Sequence, residues 1–186
     1  MIAVIYHPLT LSRDTLCEAD TLFAALEDVQ QDLLIISPNA DAGSRELLQR
    51  ISAFRARKSN VKFVSNIDHQ TYLSLLQFLS FLVGNSSSGI MESASFKLPA
   101  INIGKRQDGR ETGRNVLHCA ADKDDIRRAI HTALSPGFKS SLDGLQNPYG
   151  DGHSAEKIAD IISGVGATDV LLAKARVPLS PGTFAR

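Results

Sequence analysis

Hydrophobic and polar positions along this chain alternate between short continuous apolar runs and apolar residues spaced by three and four. Residues 3–6 form a short β-rich apolar run that His7-Pro8 ends. Residues 12–30 then carry Leu16, Ala19, Leu22, Phe23 and Leu26 at helical spacing, which predicts a helix. Residues 32–37 contain Leu33-Leu34-Ile35-Ile36, the apolar run of a parallel strand buried on both faces. Residues 38–43 are loop chemistry. Ser44 is the expected cap of a helix over 44–57, with Leu47, Leu48, Ile51 and Phe54 inward.

The pattern repeats down the chain. Strands are expected over 61–64, 80–83, 99–103 and 116–119. Helices are expected over 70–79, 87–96 and 122–134, the last capped by Asp122, and within 152–163. Residues 104–115 and 135–151 are expected loops. Residues 1–163 make one domain, and 164–186 a loosely held tail, read as a crossing helix and then disorder. Strand-helix alternation predicts an α/β fold, a Rossmann-like parallel sheet with helices on both faces. Ligands of such sheets bind beyond the carboxyl ends of the strands. That rule gathers His7, Asn39, Asn66, the Gly84 loop and the Gly104 loop toward one crevice.

The segment from Gly84 to Glu92 carries the strongest chemistry. An apolar strand runs into Gly84-Asn85-Ser86-Ser87-Ser88-Gly89 and then into a helix. Backbone N–H groups at a helix start attract phosphate. Gly84 and Gly89 permit close backbone approach, and the serine hydroxyls add donors. Glu92, expected in the first helical turn, suits a ribose diol. The same residues also describe an ordinary helix cap, and the turn alone leaves the two readings even. The next loop, Gly104-Lys105-Arg106-Gln107-Asp108-Gly109-Arg110-Glu111-Thr112-Gly113-Arg114, offers arginines able to clamp a diphosphate in bidentate fashion. By itself it reads as a solvated charged loop, because Asp108 and Glu111 offset its cations.

Composition narrows the class. The 186 residues are 43% hydrophobic and 22% charged, enough for one domain with a sizeable core. Lys plus Arg and Asp plus Glu both number 20, so no net basic field draws nucleic acid. No apolar run approaches the roughly 20 residues of a membrane span, and the first residues lack a signal-peptide pattern. Cys17 and Cys119 fit neither a disulfide framework nor a zinc site. His118 beside Cys119 gives no metal spacing, and no Gly-x-Ser-x-Gly elbow is present. The expectation is a soluble cytoplasmic protein without metal or cofactor.

Five motifs in order carry a family resemblance. They are Tyr6-His7-Pro8-Leu9-Thr10, Pro38-Asn39-Ala40-Asp41-Ala42-Gly43-Ser44, the Gly84–Glu92 segment, residues 99–118, and Tyr149-Gly150-Asp151-Gly152. Together they resemble the hydrolysing UDP-N-acetylglucosamine 2-epimerases, including bacterial sialic-acid-pathway enzymes and the epimerase half of the animal bifunctional epimerase/kinase. The resemblance covers roughly residues 3–163. It implies the C-terminal half of a two-domain glycosyltransferase-B fold. The Ser86-Ser87 turn and Arg106 would hold the diphosphate of UDP or UDP-N-acetylglucosamine, and Glu92 the ribose. His7 and Asn39 would face the phosphates or sugar, with His7 the candidate catalytic group.

The implied reaction eliminates UDP from UDP-N-acetylglucosamine, inverts C2 and yields N-acetylmannosamine. Two departures stand out. Asn66 occupies a turn where some relatives have histidine, and His69 is out of register. The family's acid/base carboxylates belong to an N-terminal half; either these residues are cut from a longer polypeptide, or the gene is split and that half is a separate partner chain. The rival reading is a free-standing module that binds UDP or a UDP-sugar without catalysis, and a glycosyltransferase ranks third. A homo-oligomer is expected, since a half-domain leaves apolar surface to cover.

Overall fold

The computed structural model describes residues 1–9 and 16–165. They form two compact units, residues 1–149 and a C-terminal unit from residue 150. In the first unit the elements run β1 (Ile2–Ile5), α1 (Cys17–Leu26), β2 (Leu33–Ile36), α2 (Ser44–Arg57), β3 (Val61–Val64), α3 (His69–Leu76) and β4 (Phe81–Gly84). There follow α4 (Ser88–Met91), a 3-10 turn (Ser93–Phe96), β5 (Ala100–Ile103), β6 (Val116–Cys119), α5 (Lys123–Leu134) and α6 (Pro136–Ser141). The second unit contains α7 (Ser154–Gly164).

The six strands form one parallel sheet in the order β3-β2-β1-β4-β5-β6. The expected α/β Rossmann-like class is therefore the observed one. Strand order reverses between β1 and β4, and such a switch point opens a crevice at the carboxyl ends. The register sets Ile5 beside Gly84 and Gly84 beside Asn102.

Central strands lack a polar face because apolar layers cover both sides. Ile2, Val4, Val83, Ile101 and Ile103 share one core with Leu22, Leu26, Leu47, Phe54, Ile126 and Ile130 of α1, α2 and α5. Ala3, Ile5 and Leu82 pack with Leu76, Leu79 and Leu98 on the other side. Stacked rings of Phe23 and Phe54, 5.1 Å apart, join α1 to α2. Asp122 caps α5 by accepting from the Asp124 and Asp125 amides, as expected.

Four expectations are corrected. Ser44 is the first helical residue of α2 rather than its cap; Gly43 holds that place at φ 87°. The Ser44 hydroxyl instead donates to the Asn39 and Asp41 carbonyls. The helix expected over 70–79 stops at Leu76. The helix expected over 87–96 divides at Glu92 into α4 and the 3-10 turn, which Lys97 ends at φ 49°. Two buried bonds meet at that break: Asn115 donates to Ser93 Oγ, and Ser93 Oγ donates to the Gly89 carbonyl, a back-bond that often bends helices. Finally, the loop expected over 135–151 contains α6. Ser135 caps it by accepting from the Phe138 amide, and Pro136 stands in its first turn. Residues 12–15 of the helix expected over 12–30, and residues 166–186 of the expected tail, lie outside the described residues.

Candidate functional site

The switch point is built from backbone outward. A Cβ on Gly84 would overlap the Ile5 carbonyl oxygen, and the residue sits at φ 143°, so only glycine lets β4 end against β1 here. The chain then turns and the Asn85 amide donates to the Ile5 carbonyl at 3.2 Å. The fully buried Asn85 side chain grips His7, two residues past the end of β1, from both sides. Its Oδ1 accepts from the His7 amide at 2.7 Å, and its Nδ2 donates to the His7 carbonyl at 2.9 Å.

His7 is 6% exposed. Its Nδ1 accepts from the Asn39 amide at 3.1 Å. An accepting Nδ1 in a neutral ring puts the proton on Nε2. Burial first, then the Arg106 cation, lowers the His7 pKa to about 4, against a weaker opposing pull from Asp41. At neutral pH the ring is therefore uncharged and offers a fixed N–H donor.

The Asn85 carbonyl gathers the loop after β5. It accepts from Arg106 Nη1 at 3.1 Å and from Gln107 Nε2 at 2.8 Å. Arg106 is otherwise exposed, whereas Gln107 is 3% exposed. Glu18 packs closely against the root of that loop. Its carboxylate oxygens stand 2.5 Å from where a Cβ on Gly104 would lie, and Tyr6 donates to it at 3.3 Å. Burial raises the pKa of Glu18 and, more strongly, of Tyr6.

Ser86, Ser87 and Ser88 form the turn into α4. Among the described residues the Ser86 and Ser87 amides take no intrachain hydrogen bond. Gly89 lets α4 close on the sheet, since a Cβ there would meet Leu82 at 3.3 Å and Ala100 at 3.5 Å. Tyr72 of α3 hydrogen-bonds Ser88 Oγ, and burial raises its pKa to about 12. Glu92 follows α4, and its buried Oε2 has no partner among the described residues.

Of the residues singled out in the sequence, His7, Asn39, Ser86, Ser87 and Arg106 meet at the switch point. Glu92 lies one short helix away, after the first turn rather than within it. Asn39 joins through its backbone amide, with its side chain exposed. Asn66 follows β3, two strands from the switch point, and is exposed. Asn85, Gln107, Tyr72 and Glu18 were not singled out. Asn85 and Gln107 lay inside the quoted motifs, so their position was available but their burial was not. Among the described residues, no three His, Cys, Asp or Glu side chains form a metal-holding group. None of the described helices is long and apolar enough to cross a membrane.

A crevice whose serine amides and outer guanidinium edge have no partner among the described residues, beside a neutral imidazole donor, suits an anionic, oxygen-rich ligand. The family model described as UDP-N-acetylglucosamine 2-epimerase matches residues 1–163. A UDP-N-acetylglucosamine 2-epimerase of Neisseria meningitidis is 33% identical over 160 residues, covering 86% of this chain and 42% of its own length. The hydrolysing GDP/UDP-N,N'-diacetylbacillosamine 2-epimerase of Campylobacter jejuni is 38% identical over 143 residues, covering 74% and 36%. The fold matches the S. aureus MnaA-UDP co-structure with a TM-score of 0.67 at 16% identity, over 87% of this chain and 44% of that one. The chain spans 36–44% of the length of its curated relatives.

Proposed function

Because the chain belongs to the UDP-N-acetylglucosamine 2-epimerase family, we propose that it is the nucleotide-binding half of a hydrolysing UDP-N-acetylglucosamine 2-epimerase. The observation that carries the reading is convergence at one switch point. Arg106, the Ser86 and Ser87 amides and His7 all present donors there. In this reading Arg106 and the serine turn hold the diphosphate, and Glu92 takes the ribose hydroxyls with its unpartnered oxygen.

The chemistry follows from where charge grows. Eliminating UDP leaves negative charge on the departing diphosphate. Fixed donors aimed at that charge stabilise it more than they stabilise the bound substrate. His7 contributes a neutral N–H donor to the phosphates or sugar. Because its pKa lies near 4, it is a poor proton acceptor from carbon at neutral pH. The acid and base that move the C2 proton are assigned to a further half, consistent with the 36–44% coverage of the relatives.

Calorimetric titration with UDP, paired with UDP-N-acetylglucosamine turnover on the same sample, tests the reading. Saturable UDP binding without turnover is expected. Absence of binding overturns the proposal. Turnover by these 186 residues keeps the substrate and overturns the assignment of proton transfer to a further half. A binding module without any catalytic partner is separated from this reading by adding the missing half of a relative. Restored turnover excludes the module.

A further inference from the structure

We propose that Gln107 is a positioning residue for Arg106, holding the guanidinium at the switch point before any ligand arrives. The inference rests on the reading that Arg106 meets the diphosphate, and deepens it. Its basis is one acceptor shared by two neighbouring side chains.

A carbonyl oxygen has two lone pairs. At Asn85 one is met by Gln107 Nε2 at 2.8 Å and the other by Arg106 Nη1 at 3.1 Å. The acceptor itself is immobile. Asn85 is fully buried, its amide is tied to Ile5, and its side chain is locked on both backbone groups of His7. Gln107 is thus the inner anchor of the exposed stretch 105–111 of the loop. Arg106 is exposed, and an exposed arginine carries about 2 kcal/mol of rotamer entropy. With Gln107 buried beside it, the backbone from which Arg106 projects is fixed, and one edge of the fork is already spent on Asn85. The remaining N–H groups of the fork stay available.

A second observation separates Gln107 from a mere core filler. Its Oε1 is buried and has no partner among the described residues. A residue chosen only to fill space would be apolar, because burying an unpaired oxygen is unfavourable. The amide cannot be reversed to relieve this, since the Asn85 carbonyl needs a donor. The orphaned oxygen is therefore the cost of keeping Nε2 on the Asn85 carbonyl.

The test is a double-mutant cycle on UDP affinity with Gln107→Met and Arg106→Ala. Methionine keeps the length and removes the donor together with the orphaned oxygen, so folding is retained. Gln107→Met in the wild-type background is expected to weaken UDP binding roughly five- to thirty-fold, the factor for a contribution of one to two hydrogen bonds. In the Arg106→Ala background it is expected to change nothing. Equal losses in both backgrounds would show a general structural role and overturn the inference. Arg106→Ala without effect on UDP would overturn the diphosphate assignment itself, and with it this inference. NMR relaxation of Arg106 Nε–H in the ligand-free chain gives an answer independent of UDP. Order in the wild type that falls below about 0.6 in Gln107→Met supports the anchor, whereas unchanged order overturns it.

Discussion

Two concave regions of this molecule differ in the state of their polar groups. A groove of about 420 Å³ runs between α1, α2 and the start of α5, lined by Phe23, Ala24 and Ala53 with charges at its rim. Four of the five are matched: Arg50 pairs with Asp20 at 2.7 Å and Arg57 with Glu27 at 3.3 Å, whereas Lys123 has no ion pair among the described residues. Arg57 also lies over the Phe54 ring at 5.2 Å. At the switch point the polar groups instead lack acidic partners. Arg106 rests on a neutral carbonyl, and among the described residues Glu92 Oε2 and Gln107 Oε1 are buried and unpaired and the Ser86 and Ser87 amides take no hydrogen bond. Open volume with mostly paired charges is a packing seam. Unsatisfied donors converging beyond strand ends have a ligand still to meet.

The comparison can be broken hardest at Gly84. Gly84→Ala puts a methyl into the Ile5 carbonyl oxygen at a backbone angle that L side chains rarely adopt. Backbone strain plus overlap is expected to cost about 3 kcal/mol or more. A thermal melt by circular dichroism checks this, with a loss of at least several degrees or no cooperative transition expected. In the groove, Ala24→Ser is expected to leave the melt within about 0.5 kcal/mol of wild type.

Arg106→Ala comes next. Losing a charge-assisted contact to a diphosphate is expected to weaken UDP binding roughly ten- to hundred-fold. Calorimetry reads this directly, and an unchanged affinity would remove the clamp. Stability is expected to change little, because the side chain is exposed and bonds one carbonyl. The groove behaves oppositely: Arg57→Ala is expected to leave UDP affinity unchanged.

A third effect is set by His7 and acid. Its folded pKa of about 4 lies below the ordinary 6.5, so the unfolded chain binds the proton first as pH falls. The contribution is fully present above about pH 6.5 and is lost as pH falls toward 4, on the order of 1–3 kcal/mol. Denaturant melts across that window check it. His7→Gln, which keeps a donor nitrogen and has no titrating ring, is expected to flatten the slope.

How much was legible beforehand follows the range of the interactions. Leu33-Leu34-Ile35-Ile36 announced a doubly buried strand because its signal is local. The strand-end rule brought His7, the Gly84 loop and the Gly104 loop toward one crevice, but it also gathered Asn66, which lies two strands from the switch point. By contrast, Asn115 bonds Ser93 at the start of the 3-10 turn from 22 residues away, and no local propensity reports that bond. Gln107 is the clearest case. It sits among charged loop residues, yet it is buried by a carbonyl 22 residues earlier in the chain. The capping signal of α6, Ser135 before Pro136, was local and readable, but Gly, Pro and Ser in the segment favoured a loop reading.

The smallest effect tests the groove's matched charges. Arg50 and Asp20 are 38% and 58% exposed at the side chain, so water and salt screen their attraction. Asp20→Asn is expected to cost less than about 1 kcal/mol at low salt and still less at high salt. Arg57 adds a cation-π contact of about 0.5–1 kcal/mol that salt does not remove as readily. Stability of Asp20→Asn and Arg57→Ala measured at two ionic strengths therefore separates the two sources. If Asp20→Asn instead changed UDP affinity, the groove and the switch point would be coupled, and treating the groove as a packing seam would be wrong.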